Sequence, residues 1–165
     1  MDIDAPTLAT ITRRLGREPR GLRAVAAHDA AGEPAVIRVA SVVDGKPFPT
    51  LFWLIDPVLN YRIDRAEAGG LIAGLQARVD AEPALAEAMA ADHRRHIALR
   101  EQYLADDERE LLTARGQWAA LAERGIGGIA DFRRIRCLHT WYAAHLVEAN
   151  TIGALLDAHW AAEAA

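Results

Sequence analysis

The sequence is short of several things, and each shortage closes off a class of explanation. It holds one cysteine, Cys137, among 165 residues. No internal disulfide can form, and nothing in the cysteine usage marks an oxidising compartment. No run approaches the ~18 consecutive apolar residues of a membrane span. The opening Met1-Asp2-Ile3-Asp4 is acidic, the reverse of the basic start of a secretory signal, so the expected location is cytoplasmic. A basic excess is missing too. The formal net charge of −4 sets the chain apart from dedicated nucleic-acid binders, which carry a positive balance. Neither a G-x-x-x-x-G-K-[ST] loop nor a G-x-G-x-x-G following a strand is found, so these two glycine-rich phosphate cradles are excluded.

The composition itself is that of a globular protein, 52% hydrophobic and 25% charged. The length suits one compact domain, residues 1–165, with room for a real core. Asp4 before Pro6 reads as a capped helix start, with Leu8, Ile11 and Leu15 at helical spacing and Gly16 as the stop. Leu22–His28, Ala35–Val43 and Leu51–Ile55 read as strands, rich in β-branched and aromatic residues and divided by turn residues such as Asp44-Gly45. From there the chain turns helical. Asp64 with Glu67 has the spacing of a capping box, and Ala66, Gly70, Ala73, Gly74 and Ala77 form a small-residue stripe that suggests close approach by another backbone. The predicted fold class is α+β: a small three-stranded antiparallel sheet near the N-terminus, then a mostly helical C-terminal two-thirds.

Chemistry-bearing residues gather in three places. Arg17 and Arg20 sit in the loop Gly16–Gly21, with Arg13, Arg14 and Arg23 on its flanks; guanidinium groups suit bidentate contact with carboxylate or phosphate. A solvated basic turn is the alternative reading. A long helix predicted from near Pro83 has the inward stripe Leu85, Met89, Asp92, His96, Leu99 and Tyr103, flanked by His93 and Arg100. Polar groups on such a face must be paired or must line a cavity, and a structural Asp–His pair would suffice. The third place is Arg133–His145, which holds the one cysteine and two of the six histidines. On a helix from Ile135 to Ala149, Cys137 points away from His139 and His145, which disfavours a shared metal. Cys137 and His139 converge only if the helix begins after Cys137. Cys137 and His139 are then candidate metal ligands, with His93 and His96 as further ones only if the two helices pack face to face; candidate catalytic residues are Cys137, His139 and His96. Gly125-Ile126-Gly127-Gly128 reads as a tight turn or an anion-holding nest, and Asn150 as the cap of a last helix.

Five blocks in this order resemble the bacterial "domain of unknown function 501" family. They are Leu15–Gly21, Asp44–Leu54, Arg65–Gly70, Gly125–Gly128 and Arg136–His139, and Asn150–Gly153 looks like a variant of a further block. The resemblance spans about Leu15 to Leu155. It implies no established activity. Where many members carry cysteines, this chain reads Ala27-His28-Asp29 and Ile55-Asp56-Pro57, so a metal site built from those cysteines does not carry over.

Three functions follow from these residues. The first is a pocket for an anionic small molecule, a phosphoester or nucleotide, formed by the arginine loop and the Cys-x-His helix, with Arg17, Arg20 and Arg136 on the anion. The second is a non-catalytic protein-interaction module using the arginine loop and aromatics such as Phe48 or Trp160. The third is a metal-dependent enzyme. Cofactor identity is left open by the sequence.

Overall fold

The computed structural model describes residues 3–165. Its first helix, α1 (Ala5–Leu15), starts and stops where its caps dictate. The Thr7 amide donates to the Asp4 carboxylate at 2.8 Å, and Gly16 closes the helix in the left-handed conformation at φ 80°, which glycine adopts without a Cβ clash.

Strand β1 (Leu22–His28) pairs antiparallel with β2 (Pro34–Val39). Beyond β2, the predicted second strand breaks. Val42–Val43 (β3) and Lys46–Pro47 (β4) form a separate two-residue hairpin around Asp44-Gly45. The chain then returns as β5 (Phe52–Leu54) on the free edge of β2, giving the order β1-β2-β5. The expected three-stranded antiparallel sheet is present, with a shorter middle strand.

Because successive strand residues point to opposite faces, this sheet divides the molecule. Ile37, Val39 and Trp53 face α1 and pack with Ile11 in a small apolar cluster. Val36, Phe52 and Leu54 face the helices and join the main core. The helices are α2 (Pro57–Ala68), α3 (Leu71–Ala81), α4 (Pro83–Tyr103), α5 (Asp106–Ala114), the single turn α6 (Ala119–Ala122), α7 (Leu138–Val147) and α8 (Thr151–Ala164). Ile63, Met89, Leu138, Trp141, Ile152 and Leu156 are buried together between them. Each such side chain contributes about 1.5–3 kcal/mol of transfer free energy.

Two details differ from the sequence reading. Helix α2 is capped by Asp56, whose carboxylate accepts from the Val58 and Leu59 amides, so Asp64 and Glu67 lie inside the helix and are not its capping box. The stripe Gly70/Gly74 meets no neighbouring backbone: among the described residues, a Cβ at either position would meet nothing within 4 Å. It lies along an open groove instead, with Tyr61, Arg62, Arg65 and Trp160. No helix among the described residues is long and apolar enough to cross a membrane.

Candidate functional site

The segment before α7 does not continue the helix backwards as the periodicity predicts, and the reason is local. Asp131 takes the Arg133 amide on its carboxylate at 3.0 Å. Gln76 of α3 then behaves like a neighbouring strand: its Nε2 donates to the Arg133 carbonyl at 2.8 Å, and its Oε1 accepts from the Ile135 amide at 2.9 Å. With those groups engaged, the backbone stays extended through Cys137 (φ −149°, ψ 118°), which becomes the residue preceding the first helical turn. This is the one arrangement in which a Cys-x-His pair converges. Cys137 Sγ lies 3.7 Å from His139 Nδ1.

Helix α2 brings two carboxylates to this pair, three residues apart and therefore on one face. Asp64 Oδ1 is 2.9 Å from His139 Nε2, and Glu67 Oε1 is 3.5 Å from His139 Nδ1. Glu67 Oε1 also accepts from the Leu138 amide at 2.8 Å, so a negative charge sits at the positive end of α7. Thr140 Oγ1 closes the turn by donating to the Cys137 carbonyl. The electrostatics follow from these contacts. The hydrogen bond with Cys137 is the main cause that raises His139 to about 9, against the opposing effect of burial and with help from Cys137, Glu67 and Asp64 as charges. Burial pushes the Cys137 thiol up, but the hydrogen bonds from His139 and the nearby backbone outweigh it and lower its pKa. The pair therefore leans toward thiolate and imidazolium, a nucleophilic sulfur in chemical terms.

The other sequence candidates are not gathered here. His93 is fully buried, its ring stacked on Phe132 at 4.7 Å and edge-on to Trp141 at 4.8 Å. Its Nδ1 accepts from the Ile126 amide at 3.0 Å. His96 is buried against the edge of Phe52. Desolvation lowers His93 to about 4 and His96 to about 3, so both are neutral core residues near pH 7. Asp92 does not pair with either; it accepts from Arg95 and from the Thr151 amide. Arg100, 1% exposed, donates to the carbonyls of Pro49, Leu121, Arg124 and Gly125. His145 is likewise engaged, with Nδ1 accepting from the Asn150 amide and Nε2 facing Asp157 at 2.9 Å.

The three arginines expected on one anion are divided by the sheet. Arg17 and Arg20 line a cavity of about 350 Å³ on the α1 face, together with Lys46, Phe48 and Trp53. Arg136 lines a separate cavity of about 270 Å³ beside Cys137, with Gly127 and Thr140. Strand alternation is the cause: the arginine loop follows α1 onto one face, and α7 packs on the other. The expected single pocket formed jointly by the arginine loop and the Cys-x-His helix is therefore replaced by two. The aromatics expected at a partner surface are not free there: Trp160 is buried and Phe48 half-buried. Tyr61, not among those expected, is exposed.

Sequence reading missed Asp64 and Glu67 as site residues. The signal was present as two acids three apart on a helix, but it was absorbed into a helix-start pattern. Only the docking of α2 against α7 gives the pair its meaning.

Residues 25–158 match the family model described as "Protein of unknown function (DUF501)". No curated protein and no solved structure matches the chain. The chain belongs to the DUF501 family.

Proposed function

We propose that this DUF501 member binds an anionic small molecule with an apolar or planar body, of the phosphoester or nucleotide kind, on the α1 face of its sheet. The observation that carries the reading is one cavity that offers both halves of such a ligand's needs. Its floor is apolar, formed by Ile37, Val39, Phe48 and Trp53, and its rim holds Arg17, Arg20 and Lys46. Small-molecule sites are built this way, with an apolar lining and a few convergent polar groups. The Arg17 guanidinium lies 5.3 Å over the Trp53 ring, which holds the cation at the rim without neutralising it. Arg20 is paired with Asp44, but both groups are well exposed, so a phosphate can displace that carboxylate at little cost. Trp53 Nε1 is buried without a partner among the described residues, which leaves a donor unused beside the cavity.

Calorimetric titration with nucleoside and sugar phosphates at low salt tests this reading. Binding that weakens about tenfold in Arg17→Ala or Arg20→Ala, and that fades with added salt, is expected. Absence of heat with every compound, or wild-type affinity retained in both variants, ends it.

A second reading, a protein-interaction module, rests on a different surface. Val58 and Tyr61 on α2 are 66% and 62% exposed, and Tyr61 borders the open groove that runs past Arg62, Arg65 and Gly74. A partner that binds there would be lost in Tyr61→Ala and retained in Arg20→Ala; the opposite pattern would return the question to the α1 face.

A further inference from the structure

We propose that Cys137, His139 and Glu67 form a binding site for a divalent cation of the zinc type, with Asp64 holding the histidine from behind. Among the described residues, these are the three whose ligand atoms gather, all within 4.8 Å of one another. His93 and His96 take no part.

Three observations carry the inference. The first is spacing. Zinc bonds of about 2.3 Å to sulfur and about 2.05 Å to nitrogen or oxygen, at tetrahedral angles, separate the ligand atoms by about 3.6 Å for S to N and about 3.3 Å for N to O. The corresponding separations are 3.7 Å from Cys137 Sγ to His139 Nδ1 and 3.5 Å from His139 Nδ1 to Glu67 Oε1. The N-to-O separation lies beyond a good hydrogen bond. The second is the tautomer. Asp64 Oδ1 at 2.9 Å takes the hydrogen on His139 Nε2, so once the proton shared with Cys137 leaves, the ring turns its Nδ1 lone pair toward a sulfur and a carboxylate. A shared proton can join two of these three acceptors, whereas one cation satisfies all of them. A carboxylate behind a ligating histidine is also the usual outer partner that fixes ring orientation. The third is access. His139 and Glu67 side chains are 25% and 26% exposed, and the 270 Å³ cavity opens beside Cys137. Three protein ligands leave one tetrahedral position for water or substrate, the pattern of catalytic rather than structural zinc. Binding releases to solvent the one proton that Cys137 and His139 share.

Cobalt(II) titration of the reduced full-length protein tests the site. One equivalent should produce a thiolate-to-metal band in the near ultraviolet, lost in Cys137→Ser. One equivalent of zinc should abolish the cobalt band and slow alkylation of Cys137, the one thiol in the chain. Glu67→Gln keeps an oxygen for the Leu138 amide while removing the charge, so it tests ligation without uncapping α7; affinity should fall at least tenfold. Asp64→Asn should weaken binding about tenfold to a hundredfold. A folded wild-type protein that shows no band at saturating cobalt, a band that survives Cys137→Ser, or an alkylation rate indifferent to zinc would overturn the proposal. Phosphate binding on the opposite face of the sheet is measured separately, so either reading can fail alone.

Discussion

Helix α4 and the start of α7 each present polar groups to the interior, yet they solve the problem in different ways. On α4, the partners of His93 and Arg100 are backbone atoms: the Ile126 amide for one, four carbonyls for the other. At α7, His139 is surrounded by other titratable side chains, Cys137, Asp64 and Glu67. A group satisfied by main chain cannot change partners without unfolding a loop. A group satisfied by partly exposed side chains can exchange a proton for a cation or a ligand. On this comparison α4 is a fold-holding element and α7 a site.

The largest effect expected from this contrast is at Arg100. It ties the loop at Pro49, the turn α6 and Gly125 to one guanidinium, so Arg100→Ala leaves four carbonyls without their donor. A loss of about 3–5 kcal/mol is expected by urea unfolding, with no effect specific to ligand binding. A loss below about 1 kcal/mol would mean that water replaces the guanidinium easily, and α4 would no longer count as a fold-holding element.

Next comes acid. His93 and His96 have folded pKa values near 4 and 3, below the ordinary 6.5, chiefly through desolvation. Between those values and 6.5 the unfolded chain binds more protons than the native one, so stability rises with pH across that window. The stabilisation is complete above about pH 6.5 and is lost as pH falls toward 4 and then 3. At about 1.4 kcal/mol per unit, the loss by pH 4 amounts to roughly 3 kcal/mol for each histidine, and for His96 it continues toward pH 3. Denaturant midpoints measured from pH 7 to pH 4 would show it, and His96→Phe should flatten the curve. Gly125→Ala belongs in the same range, since the new Cβ would fall 2.1 Å from His93 Nδ1; overpacking of this kind typically costs about 1–3 kcal/mol.

How much of this contrast was legible beforehand depends on the range of the interactions. The α+β class, the caps at Asp4 and Asn150 and the turn at Asp44-Gly45 rest on neighbours in sequence, and they are where the pattern put them. The polar face of α4 was visible from helical spacing, but its Asp92–His pairing was not realised, because the Thr151 amide and Arg95 claim that carboxylate. The start of α7 depended on Gln76, more than fifty residues away, occupying the backbone at Arg133 and Ile135. Helical periodicity contains no such information. The same limit explains the arginines. Arg17, Arg20 and Arg136 were expected in one pocket because a single site would account for both the basic loop and the polar helix faces, while the alternation of β2 and β5 put a sheet between them.

The smallest stability effect is expected at Asp64, and it is the most informative test of the contrast. Its side chain is 67% exposed and, among the described residues, its one ion-pair partner is His139, so the pair contributes at most about 1 kcal/mol to folding. Asp64→Asn retains an acceptor oxygen for His139 Nε2 and should leave the unfolding midpoint nearly unchanged. It should nonetheless remove one of the charges that raise the His139 pKa, so the imidazole resonances followed by NMR should titrate at lower pH than in the wild type. A large drop in stability without any change in the His139 titration would show that the start of α7 is held in the manner of α4, by partners it cannot give up.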